Sequence, residues 1–180
     1  KKLHPFFLFL INSNIFVSIC VLSLAISSEF LLVNSKISFP SKVSLFVFFA
    51  TIFTYNFQRI IRVSKSQKHN RKDWTQKNKF LIYLVMIIGS VMSLYLFSKF
   101  KTNTQIAIIF SGIISLLYPF GLRTIPFSKI FFISLIWTAS TMLLLILEEE
   151  IIFSSNVIAH LLSRFLFVFA ICIPFDIRDI

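Results

Sequence analysis

Six apolar stretches divide this chain, and no other feature limits its fold as strongly; they run approximately 5–33, 43–61, 80–98, 104–120, 129–147 and 151–175. A helix rises about 1.5 Å per residue, so each is long enough, or nearly so, to cross about 30 Å of hydrocarbon. Backbone polar groups in lipid must be satisfied within the protein, which leaves helices and closed barrels as spanning elements. Barrel strands need short segments of alternating apolar and polar residues, and the sequence has none. The expectation is an all-α fold: a polytopic membrane helix bundle with about six transmembrane helices, forming one domain over residues 1–180. Composition agrees. Hydrophobic residues make up 57% of the chain, and 24 of its residues are phenylalanine. A soluble domain has roughly 45–50%.

Charge lies in the connections, and it is lopsided. Lys1, Lys2, the basic cluster between Arg59 and Lys79, Arg123, Lys129 and Arg178 all fall on one side of an alternating bundle. Lys36, Lys42, Lys99, Lys101, Glu29 and Glu148–Glu150 fall on the other. The positive-inside rule then makes the first side cytoplasmic, as in a bacterial inner membrane. The net charge of +11 follows from this topology and from contact with anionic lipid headgroups, with no nucleic acid partner. The cluster 59–79, which contains Trp74, reads as a headgroup-contacting loop. The chain reads as truncated at both ends, since it starts with Lys-Lys and stops inside a polar motif.

Several chemistries are excluded. Only 3 glycines are present, and neither G-x-G-x-x-G nor G-x-x-x-x-G-K-[ST] occurs, so the familiar nucleotide loops are absent. No H-E-x-x-H or Cys/His cluster has zinc-ligand spacing. Cys20 and Cys172, inside apolar runs, are expected as buried thiols acting as small hydrophobes. His4 and His69 read as interfacial or loop residues, and Glu148–Glu150 as a solvated loop. Arg164 lies well inside the sixth stretch, where a charge is expensive. It is expected to snorkel outward; the alternative is a polar patch with His160 facing the bundle interior.

The acids that invite chemistry are at the end of the chain, "IPFDIRDI", residues 173–180. Asp176 and Asp179 are spaced i, i+3, which puts both carboxylates on one helix face. Mg²⁺ prefers hard oxygen ligands and is often held by one or two carboxylates plus substrate phosphates. A solvated helix-end motif is the simpler alternative. The residues around the pair resemble the second aspartate-rich motif of the UbiA family of membrane prenyltransferases, close to N-D-[IL]-R-D-x-x-x-D. Asp176, Ile177, Arg178 and Asp179 match in order, with Phe175 where Asn is usual and the third Asp falling past residue 180. "YPFGLRTIPFSK", residues 118–129, is similar to the family's stretch between its fourth and fifth helices, with Tyr118, Arg123 and Lys129 in comparable places.

The resemblance implies a bundle of nine spans, six of them present here. It also implies transfer of an isoprenoid chain from a polyprenyl diphosphate to an aromatic (quinone-precursor) or lipid acceptor. Asp176 and Asp179 would hold Mg²⁺ and act in catalysis, while Asn56, Arg59, Tyr118, Arg123 and Lys129 would bind the diphosphate. Metal and cationic side chains would stabilise the departing diphosphate, and aromatic walls would shelter an allylic cation. The family's first motif, N-D-x-x-D-x-x-x-D, is degenerate here. "TYNFQRIIRVSK", residues 54–65, keeps Asn56 but has Phe57, Ile60 and Ser64 where acids belong. Two readings stay open: arginines take the diphosphate directly, or the chain is a non-catalytic scaffold or lipid-binding protein. A solute transporter is a weaker third reading, because the few Gly and Pro residues cluster near span ends rather than at midplane.

Overall fold

Residues whose side chains cannot hydrogen-bond to lipid must close their backbone bonds locally, and this chain does so with helices throughout. A computed structural model describes residues 4–33, 40–65, 77–117 and 128–178, and every regular element among them is helical. In order these are α1 (Pro5–Asn12), α2 (Ile15–Leu32), α3 (Lys42–Lys65), α4 (Lys79–Phe97) and α5 (Thr102–Leu117). Next comes α6 (Ser128–Thr138), which passes through a π turn (Ala139–Leu143) into α7 (Leu144–Glu148). Last is α8 (Ser155–Arg178). Five apolar segments are long enough to cross a membrane: Ile15–Leu32, Lys42–Ile61, Lys79–Phe97, Ile130–Glu148 and Ser155–Pro174. The chain is a membrane-embedded all-α bundle.

Two elements differ from the sequence reading. The stretch 5–33 is two helices, broken at Ser13 and Asn14. Asn14 has a left-handed backbone, φ 60°, a conformation that asparagine tolerates better than most residues. Three polar residues in a row, Asn12–Ser13–Asn14, end one helix and start the next, and all three are buried. The fourth stretch, read as 104–120, begins two residues earlier: its described part is the helix Thr102–Leu117, 16 residues, about 24 Å long.

Taken as spans, with α6 to α7 as one, α2, α3, α4, α5, α6–α7 and α8 alternate in direction, so the C-terminal ends of α3, α5 and α8 share one end of the bundle with the start of α2. The segment Ile130–Glu148 is central, with 44% of its span buried, against 17% for both Lys79–Phe97 and Ser155–Pro174. Its Leu144 and Leu145 join Val21, Val43, Phe46, Val47, Leu96 and Phe100 in the main core. Phe46 and Phe100 meet edge to face, centroids 5.3 Å apart, a favoured aromatic geometry. The outer surface is apolar as well: Ile87, Val91 and Leu94 of α4, Phe110 of α5, and Leu162 and Leu166 of α8 are all exposed. Such a surface suits contact with membrane lipids.

Close approach of α3 and α4 depends on Gly89. A Cβ there would lie 3.0 Å from the carbonyl oxygen of Phe49 and 3.3 Å from the backbone nitrogen of Phe53. The third near atom is Ile52 Cγ2 at 3.2 Å; because the other two are backbone atoms, a side chain at 89 would require the helices to shift apart by a few tenths of an ångström.

Candidate functional site

The end of the bundle singled out by the sequence is described in part. Asp176 and Lys129 lie in α8 and α6, and the description of both stops at the backbone. Tyr118, Arg123 and Asp179 lie outside the described residues. Pro174 sits inside α8 two residues before Asp176. Having no N–H, it removes the helical hydrogen bond to the Ala170 carbonyl, in the turn that precedes Asp176.

Asn56 and Arg59, on the last turns of α3, are described in full. Asn56 is 0% exposed, and its amide is engaged on every side. Its Nδ2 donates to the Ser13 carbonyl at 2.9 Å and to the Ile52 carbonyl at 2.8 Å. Its Oδ1 accepts from Asn14 Nδ2 at 3.0 Å. Arg59 Nη2 donates to Asn14 Oδ1. Asn56 therefore satisfies the carbonyl left open where α1 ends, and Asn14 links it to Arg59. A helix break in a bilayer is tolerated when protein groups take up the freed backbone bonds, and this clasp supplies them. The sequence signal was the polar trio at residues 12–14, which a hydropathy reading absorbs into one long span.

One turn deeper, a cavity of about 110 Å³ lies between α2, α3, α5 and the π-turn region of α6 and α7. Its walls are mainly apolar, but Thr51, Thr54, Tyr55, Ser111 and Ser140 carry hydroxyls into it. Trp137 Nε1 donates to the Tyr55 hydroxyl at 3.1 Å across the cavity. Such an intramembrane polar lining is invisible to a reading by span length, because single Ser and Thr residues do not interrupt an apolar run.

The opposite end of the bundle holds the buried charges. Glu148 is 2% exposed and pairs with Lys42. Its Oε2 accepts from the Lys101 backbone N–H at 3.1 Å. Lys42 Nζ also lies 5.7 Å from the Phe100 ring centroid. The expectation of a solvated loop thus fails for Glu148, because the helix carries it one turn back onto the start of α3. It holds for Glu149 and Glu150, which are exposed. Glu150 pairs with Lys101 at 2.9 Å, and that hydrogen bond holds the Lys101 ammonium above the ordinary lysine range. Glu29, 7% exposed, accepts from the hydroxyls of Ser41 and Ser44 at the start of α3.

Arg164 does not snorkel outward. It is 9% exposed and donates to Ser28 Oγ at 3.1 Å, while His160 is exposed. Val157, Arg164 and Val168 are buried on α8, whereas His160, one turn before Arg164, is exposed. Cys20 is exposed on the outer surface rather than buried.

Among the described residues, no group of three or more His, Cys, Asp or Glu side chains is placed to hold a metal. Of the described side chains at the Asp176 end, neither Asn56 nor Arg59 is a ligand for Mg²⁺: Asn56 spends its oxygen on Asn14, and Arg59 is a cation. No protein-family model matches the chain, and no curated protein or solved structure matches it either.

Proposed function

We propose that the chain is an intramembrane prenyltransferase of the UbiA type, moving an isoprenoid chain from a polyprenyl diphosphate to an aromatic or lipid acceptor. The observation that carries this reading is Asp-Ile-Arg-Asp at the exit of a membrane helix, residues 176–179. A carboxylate pair at that boundary suits a diphosphate whose apolar tail stays in lipid. Mg²⁺ would be held by Asp176 and Asp179 and would neutralise charge on the departing diphosphate. Arg59, Arg123 and Lys129 would bind the phosphate oxygens, Arg59 from an α3 terminus on the same end of the bundle as the end of α8. Tyr118 would position the same group. On this reading the basic connections, by the positive-inside rule, would face the cytoplasm, as in a bacterial inner membrane.

A second reading has its own support. Asn56, the residue retained from the degenerate first motif, has both amide protons on backbone carbonyls and its oxygen on Asn14. That is the behaviour of a structural clasp, and it suits a scaffold or lipid-binding protein that keeps the bundle without the transfer.

Incubation of the full-length protein with radiolabelled polyprenyl diphosphate, Mg²⁺ and aromatic acceptors separates the two. Transfer reduced on the order of 100-fold or more by Asp176→Asn, with folding intact, is expected for the enzyme. Binding of the diphosphate without turnover in the wild type selects the scaffold.

A further inference from the structure

The cavity beside the π turn has a donor–acceptor balance that selects a class of ligand. Thr51 Oγ1 donates to the Val47 carbonyl at 2.6 Å, and Ser140 Oγ to the Trp137 carbonyl at 3.2 Å. Ser111 Oγ donates to the carbonyls of Ala107 and Ile108 at 2.8 and 3.1 Å. A hydroxyl that gives its proton to its own helix keeps its lone pairs. These three side chains therefore face the cavity as acceptors.

Among the described residues, no Lys, Arg, His, Asp or Glu lines the cavity. An anion would find no cationic donor there, and an ammonium no carboxylate; burial of either charge unpaired is costly. A neutral donor with an apolar body meets neither penalty. Thr54, Tyr55 and Ser115 add hydroxyls to the same lining, and a ligand hydroxyl suits such a mixed wall because it can donate to the acceptors and still accept. Size agrees: an engineered apolar cavity of about 150 Å³ takes benzene, so about 110 Å³ takes a hydroxyl and the first few carbons behind it. The π turn itself brings Ser140 and Leu144 to this wall, and single π turns occur frequently at functional sites.

We propose that this cavity is a binding site for the hydroxyl end of a neutral, apolar-bodied alcohol within the membrane. The site stands whether or not the chain transfers prenyl groups, because none of its residues belongs to the aspartate end.

Trp137 lines the cavity and is one of 2 tryptophans, so a Trp74→Phe protein gives it as the sole fluorescent reporter. The full chain in detergent is titrated with ω-bromooctanol, its methyl ether and ω-bromooctanoate, whose bromine quenches indole. Saturable quenching by the alcohol is expected, about tenfold weaker for the ether, which lacks one hydrogen bond, and none that saturates for the carboxylate. Gly112 lines the cavity, and a Cβ there meets nothing within 4 Å. Gly112→Leu should thus fold, fill the space and abolish saturable quenching. Thr51→Val with Ser140→Ala keeps the shape, leaves Ser111 as an acceptor, and should narrow the difference between alcohol and ether. Equal affinity in the unsubstituted cavity, quenching that only rises linearly with probe, or tight binding of the carboxylate would each overturn the proposal.

Discussion

At the scale of single residues, the buried polar groups hold positions that apolar substitutes cannot fill. Asn56→Leu would leave the Ser13 carbonyl and the Asn14 amide without their partner inside a membrane bundle. Each orphaned group costs about 1–3 kcal/mol, so the unfolding temperature in detergent should fall clearly, and Asn56→Asp should not restore it. Lys42→Met should be more damaging than Glu148→Gln. The first strands a buried carboxylate, a loss of about 3–5 kcal/mol. The second keeps an acceptor for the Lys101 N–H. Lys42→Met combined with Glu148→Met should recover much of the lost stability, a pattern that thermal unfolding of the three variants reads directly. The exposed Lys101–Glu150 pair behaves differently. Its hydrogen bond raises the lysine pKa above the ordinary lysine value, so its stabilisation is complete below that ordinary value and disappears as pH rises through the folded one. A small, strictly alkaline loss of stability is expected, and Glu150→Gln should abolish it.

Helices and their contacts account for a second group of effects. Gly89→Ala puts a methyl 3.0 Å from a backbone oxygen of α3. Neither backbone yields cheaply, so the two helices must separate, at a cost of about 1–3 kcal/mol. Gly89→Leu should cost more and loosen α4 from the bundle, seen as faster proteolysis between α3 and α4. The same reasoning separates Gly89 from Gly112, although both are glycines in apolar helices. One fills a helix contact and the other borders open space, and their neighbours in sequence do not reveal which. The break between α1 and α2 is another such case. Its polar trio can be read directly in the sequence. That the break is held by Asn56, 42 positions later than Asn14, cannot.

For the whole molecule, antiparallel order makes a prediction independent of any chemistry. With Cys20 and Cys172 replaced by Ser, a cysteine at Glu149 and one at Lys77 should label with a membrane-impermeant reagent from opposite sides. Labelling of both from the same side would refute the alternating bundle. The sequence by itself determined the class and the number of apolar segments. Long runs without charge admit no other backbone state in lipid, and a length near one bilayer fixes each element. It also determined the lopsided basic connections and the acid pair at 176 and 179. Tertiary structure alone decided the rest: that Arg164 turns inward to Ser28, that Glu148 pairs with Lys42 across the bundle, and that scattered hydroxyls from three helices meet around one cavity. Hydropathy depends on each residue's own transfer to lipid and can be summed along the chain. The partner of a buried polar group depends on which helix faces match, and that is set only when the helices pack.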